Sequence, residues 1–345
     1  MKLKWKRILA LGMAVCMSAI VFTGCGGGAE KTGDNASSAS PVTLKLSIGT
    51  SQSSKDIGNK FKEELEKQSE GRILVDIFAD NQLGGDREVA EATQYGDIDI
   101  CLVSTTPVAT SVPNLNLFDA PFIFPNRDVA YKILDGNVGQ AIAKNLEEKV
   151  NIKVLGFPEN GFRCLTNNKV EVHSPADLKG MKIRVMESEI HMATWEALGA
   201  SPTPMSFTEL FTALQQKTID AQENPMENNY ANRFYEVQEY CVDTYHVYTP
   251  FLFGMNLDKF NSFSPEDQAI IANVGKIATD FQREKAAFYE EDSIKKMQEY
   301  GTKVISLTDD ERTQFRNAVS SVYDLVKSKM DNPELLDETL KESSN

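Results

Sequence analysis

From Val42 onward the apolar residues change period in a regular order, and that order confines what the chain can fold into. Val42, Leu44, Leu46 and Ile48 recur at every second residue, which is a strand. Ile57, Phe61 and Leu65 then recur at every fourth residue within a charged stretch, which is an amphipathic helix. A strand over Ile73–Phe78, a helix over 87–95 and a strand over 98–103 follow. Strand and helix alternating in this way predict an α/β protein with a largely parallel sheet. Helices over 128–149 and a strand over 152–157 lead to a turn cluster, Pro158-Glu159-Asn160-Gly161. A second series comprises strands over 162–166 and Lys182–Val185, then helices over 189–198 and 207–216. The last of these begins with a capping box at Ser206 and Glu209. Strands over 240–248 and 251–256 are joined through Pro250, and the remainder is helical, entered at Ser264-Pro265 and at the box Thr308 to Glu311. There is no internal repeat. The turn clusters at 159–161 and around Pro250 place two crossings between two α/β lobes, with the cleft between them as the default ligand site.

The first residues are an address rather than part of that body. Lys2, Lys4, Lys6 and Arg7 form a basic start, residues 8–22 an apolar run, and Thr23-Gly24 a small-residue cut site before Cys25. This describes an export signal over 1–24. The stretch Val21-Phe22-Thr23-Gly24-Cys25 resembles a bacterial lipobox, which implies lipid attachment at Cys25 and a body outside the cytoplasm. Residues 25–41 are rich in Gly, Ala, Ser and Asn, the composition of a flexible tether. Composition bears on partners. The chain of 345 residues carries 50 acids against 36 bases, and without its four-base leader the body has a net charge of −18. Nucleic acid requires a basic footprint, so it is excluded as a partner. The simplest reading of the acid excess is a cationic ligand. Cys101, Cys164 and Cys241 each sit in an apolar run and read as buried small hydrophobes rather than a disulfide framework.

The sequence carries no G-x-G-x-x-G, P-loop, G-x-S-x-G or H-E-x-x-H, and His173, His191 and His246 have no metal-ligand spacing. The chain therefore offers no nucleophile, metal or cofactor loop, and it reads as a non-enzyme with no cofactor and no metal. Two arginines stand out, because Arg163 and Arg184 each lie inside an apolar strand. Such a guanidinium is either edge-facing or internally paired, or it is a fork of planar donors for a carboxylate.

The runs Asn160-Gly161-Phe162-Arg163-Cys164-Leu165-Thr166-Asn167 and Gly180-Met181-Lys182-Ile183-Arg184-Val185 resemble solute-binding proteins of TRAP (tripartite, ATP-independent periplasmic) transporters. So do Pro204-Met205-Ser206-Phe207-Thr208-Glu209 and Gln222-Glu223-Asn224-Pro225. The resemblance implies a two-lobed periplasmic-binding-protein-like fold with a hinge, a central cleft and long C-terminal helices. Lobe I would hold 42–161 plus about 250–289, and lobe II 162–249 plus about 290–345. By resemblance, Arg184 forms the essential salt bridge to the ligand carboxylate, Arg163 is its partner, Asn224 completes the clamp and Phe207 packs on the ligand body. Asp86, Ser104, Glu223 and His246 match positions that vary with the ligand or reach it through water. Ser104 stands where the sialic-acid branch has Glu, so that sugar is not expected. The expectation is a monomeric capture protein for a small organic acid, serving sodium-coupled TRAP membrane subunits. Four-carbon dicarboxylates and hexuronate-like sugar acids both suit it, with Asp86, Ser104 and His246 as hydroxyl partners leaning to the latter. The alternatives are a binding protein for an ATP-driven importer or chemoreceptor, and a secreted hydrolase acting on acidic sugars.

Overall fold

A computed structural model describes residues 40–343, so the expected export signal and the lipidation at Cys25 lie outside the described residues. Among the described residues eleven strands occur: β1 (Val42–Ser47), β2 (Ile73–Phe78), β3 (Ile100–Ser104), β4 (Ile152–Gly156), β5 (Glu159–Asn167), β6 (Lys182–Val185), β7 (Ser201–Pro204), β8 (Ala221–Pro225), β9 (Tyr240–Val242), β10 (Tyr248–Asn256) and β11 (Lys303–Ile305). They form one continuous path in the order β2-β1-β3-β10-β5-β8-β6-β7, with β4 beside β10 and β9 between β5 and β11. The path has two halves. In the first, β1 pairs in parallel with β2 and β3; in the second, β6 pairs in parallel with β7 and β8.

The expected largely parallel sheet is mixed instead. β10 runs antiparallel to β3, β4 and β5, and β5 runs antiparallel to β8 and β9. The reason is topological: β5 and β10 are the two strands that cross between the halves, in opposite directions, and helix Pro265–Tyr300 makes a third passage, to β11. The two strands meet where Thr249 pairs with Gly161, and the register shifts there and again after Phe253. The predicted turn at 159–161 is thus the start of a strand, and Pro250 lies inside β10 rather than between two strands. Pro is tolerated at this position because the register shift takes it out of the regular ladder. Gly161 has φ +125, and a Cβ there would come within 3.2 Å of Pro225. Only glycine takes that backbone without strain.

The helices begin and end where local chemistry directs. Helix Gln52–Gln68 starts at Ser51, whose hydroxyl accepts the Ser54 N–H at 3.2 Å. Its Ile57, Phe61 and Leu65 are buried against β1, β2 and the ring of Phe253. Helix Pro265–Tyr300 is capped by Ser264, has Pro at its first position and stops at Gly301 in the left-handed conformation. At 36 residues it is about 54 Å long. It packs on helix Gln52–Gln68, on β4 and β5, and on β11, so it runs along both halves. Its Gln282 grips the Glu159 backbone from both sides, accepting its N–H at 2.9 Å and donating to its carbonyl at 2.8 Å. The box at Thr308 and Glu311 forms as the spacing predicts. The box at Ser206 and Glu209 does not: that turn is 3-10 over Phe207–Glu209, and the Ser206 hydroxyl meets Thr208 instead.

Cys101, Cys164 and Cys241 are free and fully buried, as their apolar runs predict. No helix among the described residues is long and apolar enough to cross a membrane.

Candidate functional site

A cleft opens between the two halves where β3, β6 and β8 end and β5 begins, with about 640 Å³ of open space continuous with solvent. Its walls come from both sides: Asp86 and Ser104 from the first half, Arg163, Arg184, Phe207 and Asn224 from the second. Six of the eight residues singled out from sequence therefore line one cavity. Glu223 and His246 do not line it but lie behind Arg163.

Arg163 on β5 is completely buried. Its Nε and one Nη donate to the Glu223 carboxylate, that Nη also donates to the Glu223 carbonyl at 2.6 Å, and Asn224 Oδ1 accepts from it at 3.3 Å. Arg184 on β6 is 2% exposed, and its Nε and one Nη donate to the Met205 carbonyl at 2.9 and 2.6 Å. In each guanidinium the remaining nitrogen, Nη1, has no hydrogen-bond partner among the described residues although it is buried. Buried guanidinium N–H groups are costly to leave unsatisfied. Both belong to residues that line the one cleft, and charge-assisted bonds to an anion are the strong way to satisfy such groups.

Charge around the pair is tuned from behind. Burial would raise the Glu223 carboxyl, but the Arg163 charge and hydrogen bonds from His191 and His246 hold it well below the usual carboxylate range. Burial pushes the His191 imidazole down, yet Asp119 and Glu223 on its two sides bring it up to about 9. Burial lowers His246, which joins Thr244 at 2.8 Å to Glu223 at 3.1 Å. Arg184 is pushed down to about 10, by burial first and by the charge of Arg163 beside it, while Glu223 and Asp86 oppose the change. It stays cationic at neutral pH. Burial pushes the half-buried Asp86 carboxyl up to about 6, against the Ser104 N–H that it accepts at 3.2 Å and against both arginines.

The remaining predicted residues fall into place around this core. Ser104 is buried, with its hydroxyl 3.7 Å from Met186 Sδ. Phe207 is half-buried, its ring edge-on to Phe234 at 5.9 Å. Asn224 donates one amide N–H to Gln222 at 2.6 Å and accepts from Arg163 through its oxygen, so it also holds the arginine in place. Trp195 is core, edge-on to His246 at 5.0 Å. Sequence reasoning missed Met205, whose backbone carbonyl no sequence pattern announces. It also missed the buried pair His191 and Asp119, which are 72 positions apart. Arg87 and Glu187 were missed as well; they pair at 3.3 Å across the cleft. No group of three or more His, Cys, Asp or Glu among the described residues is placed to hold a metal.

The family model for bacterial extracellular solute-binding protein, family 7, matches residues 49–329. The 2,3-diketo-L-gulonate-binding periplasmic protein YiaO of Escherichia coli (strain K12) is 36% identical over 287 residues, which cover 83% of this chain and 87% of that protein. The crystal structure of the sugar acid binding protein DctPAm from Advenella mimigardefordensis, in complex with galactonate, superposes with a TM-score of 0.85 at 33% identity, covering 88% of this chain and 98% of that one. A TRAP periplasmic solute binding protein from Sulfurospirillum deleyianum with bound succinate superposes with a TM-score of 0.82 at 29% identity, covering 87% and 99%.

Proposed function

The chain belongs to family 7 of the bacterial extracellular solute-binding proteins, and on that premise we propose how it captures its ligand. It is a TRAP-type binding protein for a small organic acid rather than an enzyme, so the hydrolase alternative falls with the family assignment. The ligand carboxylate docks on the free Nη1 groups of Arg163 and Arg184. That pair of buried, unpartnered nitrogens is the observation that carries the reading. Phe207 covers the ligand body, and Asp86 and Ser104 face it from the opposite wall. Glu223 and His246 act through Arg163, holding its plane and charge, rather than by touching the ligand.

Capture involves closure. β5 and β10 serve as the hinge at Gly161 and Pro250, with lobe I over 42–161 plus about 250–289 and lobe II over 162–249 plus about 290–345. The division near 289 falls inside the continuous helix Pro265–Tyr300, which then acts as a brace across both lobes. Closure is driven only to the extent that the ligand binds the closed arrangement better than the open one. The lipobox-like stretch supplies an anchor at Cys25, and the loaded monomer delivers the acid to TRAP membrane subunits.

Arg184→Ala tests the clamp. Each charge-assisted bond lost in a closed site is worth about 1.5–3 kcal/mol, so titration calorimetry with an acid that the native protein binds is expected to show no measurable binding. Near-native affinity in that variant refutes the clamp.

A further inference from the structure

Five ionisable side chains line the cleft: Asp86, Arg87, Arg163, Arg184 and Glu187. Their pairing decides how much negative charge a ligand can bring. Arg163 is already met by the Glu223 carboxylate behind it. Arg87, from the first half, is met by Glu187 from the second, its Nε 3.3 Å from Oε2. Arg184 remains, with no carboxylate in contact, and it shares the cleft with Asp86. Counting Glu223, three guanidinium groups stand against three carboxylates, and among their buried nitrogens it is the two Nη1 groups that lack partners. Away from the arginine pair the walls carry one further cation, Arg87, already paired with Glu187. They offer hydroxyls and amides, among them Thr50, Ser54, Asn81, Asn160 and Asn228.

We infer that the cleft selects a polyhydroxylated monocarboxylate, a sugar acid bound by one carboxylate to Arg163 and Arg184 with its hydroxyls toward Asp86 and the wall amides, and that it discriminates against four-carbon dicarboxylates. This rests on the carboxylate-capture reading above and adds the ligand class to it. A second carboxylate would lose its water in an enclosed site without gaining a counter-ion, which is strongly unfavourable. It would also face Asp86, a like charge. Recruiting Arg87 does not remedy this, because the second carboxylate would share that guanidinium with Glu187 and face its like charge. Hydroxyls have the opposite fit. A carboxylate such as Asp86 only accepts, a hydroxyl donates, and the asparagine amides supply both roles. Asp86 therefore acts as the specificity-determining residue of the far wall, rewarding a donor and repelling an anion.

The test is calorimetry on the purified full chain with galactonate, glucuronate and succinate at pH 7.5, repeated in Asp86→Asn and Arg184→Ala. The expected result is that at least one sugar acid binds roughly 100-fold or more tightly than succinate, the order set by one unpaired charge. In Asp86→Asn the gap narrows, because succinate gains when the like charge is removed. Succinate binding as tightly as either sugar acid, with that binding lost in Arg184→Ala, overturns the selectivity and leaves the clamp standing. A sugar-acid preference that persists at native affinity in Arg184→Ala overturns the clamp. Binding of none of the three overturns both.

Discussion

Burial pushes the Asp86 carboxyl from its ordinary value of 3.8 up to about 6, so folding penalises its ionised form. The sign follows from linkage. A raised folded-state value means the group's stabilising contribution is complete below 3.8 and is lost as pH rises through about 6. At neutral pH the folded protein therefore carries the full penalty. Asp86→Asn keeps an acceptor for the Ser104 N–H but removes the buried charge. It is expected to raise the unfolding free energy of the ligand-free protein by about 1–3 kcal/mol at pH 7.5, a gain that shrinks toward zero by pH 4. Urea denaturation at the two pH values checks this, and an unchanged or lowered stability at pH 7.5 contradicts it. A residue that costs stability while facing a cleft is the signature of selection for binding rather than for folding. At this scale the sequence was legible in Arg163 and Arg184, because a guanidinium inside an apolar strand needs an explanation. It was not legible in the supporting residues. Glu223 and His246 sit among ordinary residues, and their burial behind Arg163 follows only from how β5, β8 and the segment before β10 come together.

Among the elements, helix Gln52–Gln68 reaches from the first half to the second through its opening turn. The Glu227 carboxylate, at the start of helix Met226–Ala231, accepts the Ser53 backbone N–H at 2.7 Å and its hydroxyl at 2.6 Å. A carboxylate at a helix N-terminus is stabilised by the unpaired amides and the helix dipole. Here the carboxylate comes from the opposite side of the cleft, so the contact joins the two halves in the arrangement observed. Gly85 contributes on the same principle of close approach: a Cβ there would stand 2.9 Å from the Ser206 hydroxyl, so a bare backbone lets the halves meet. Removing the Ser53 hydroxyl should favour an open arrangement. Ser53→Ala is expected to weaken ligand affinity about tenfold, the worth of one hydrogen bond to a charged group. The urea midpoint of the ligand-free protein should move little. Calorimetry and denaturation on the same sample distinguish this from general destabilisation, in which the midpoint falls as well. Most elements were readable from period and caps. The short strands β7, β9 and β11 were less so, since three or four residues give no usable period and each is specified by the neighbour it pairs with.

For the molecule as a whole, the net charge of −18 on the body beyond residue 24 points naively to a cationic ligand, but Arg163 and Arg184 already turn the sequence expectation to an organic acid, and the family agrees. Exposed acids act through water and are screened over about 8 Å at physiological salt, whereas Arg163 and Arg184 are buried and act at short range. The two scales separate in kinetics. The acidic body repels an anionic ligand during approach, so the association rate should rise about two- to tenfold as salt is increased from 20 to roughly 300 mM. The dissociation rate, set by the enclosed clamp, should stay nearly constant. Stopped-flow measurement of both rates checks this; an association rate that falls with salt indicates that the arginines steer the ligand from a distance.

The sequence by itself determined the α/β alternation, the two crossings at Gly161 and near Pro250, the burial of the cysteines and the pair of arginines that matter. Each is a local property: a period, a backbone freedom, or a charge in an apolar context. Only the tertiary structure decided that the crossing strands run antiparallel to their neighbours and that Glu223 neutralises Arg163 from behind. Only it decided that Arg87 pairs with Glu187 and that one buried nitrogen of each strand arginine is left without a partner. Charge balance in a cleft depends on which side chains meet across long stretches of chain, and residue spacing along a sequence carries no measure of that distance.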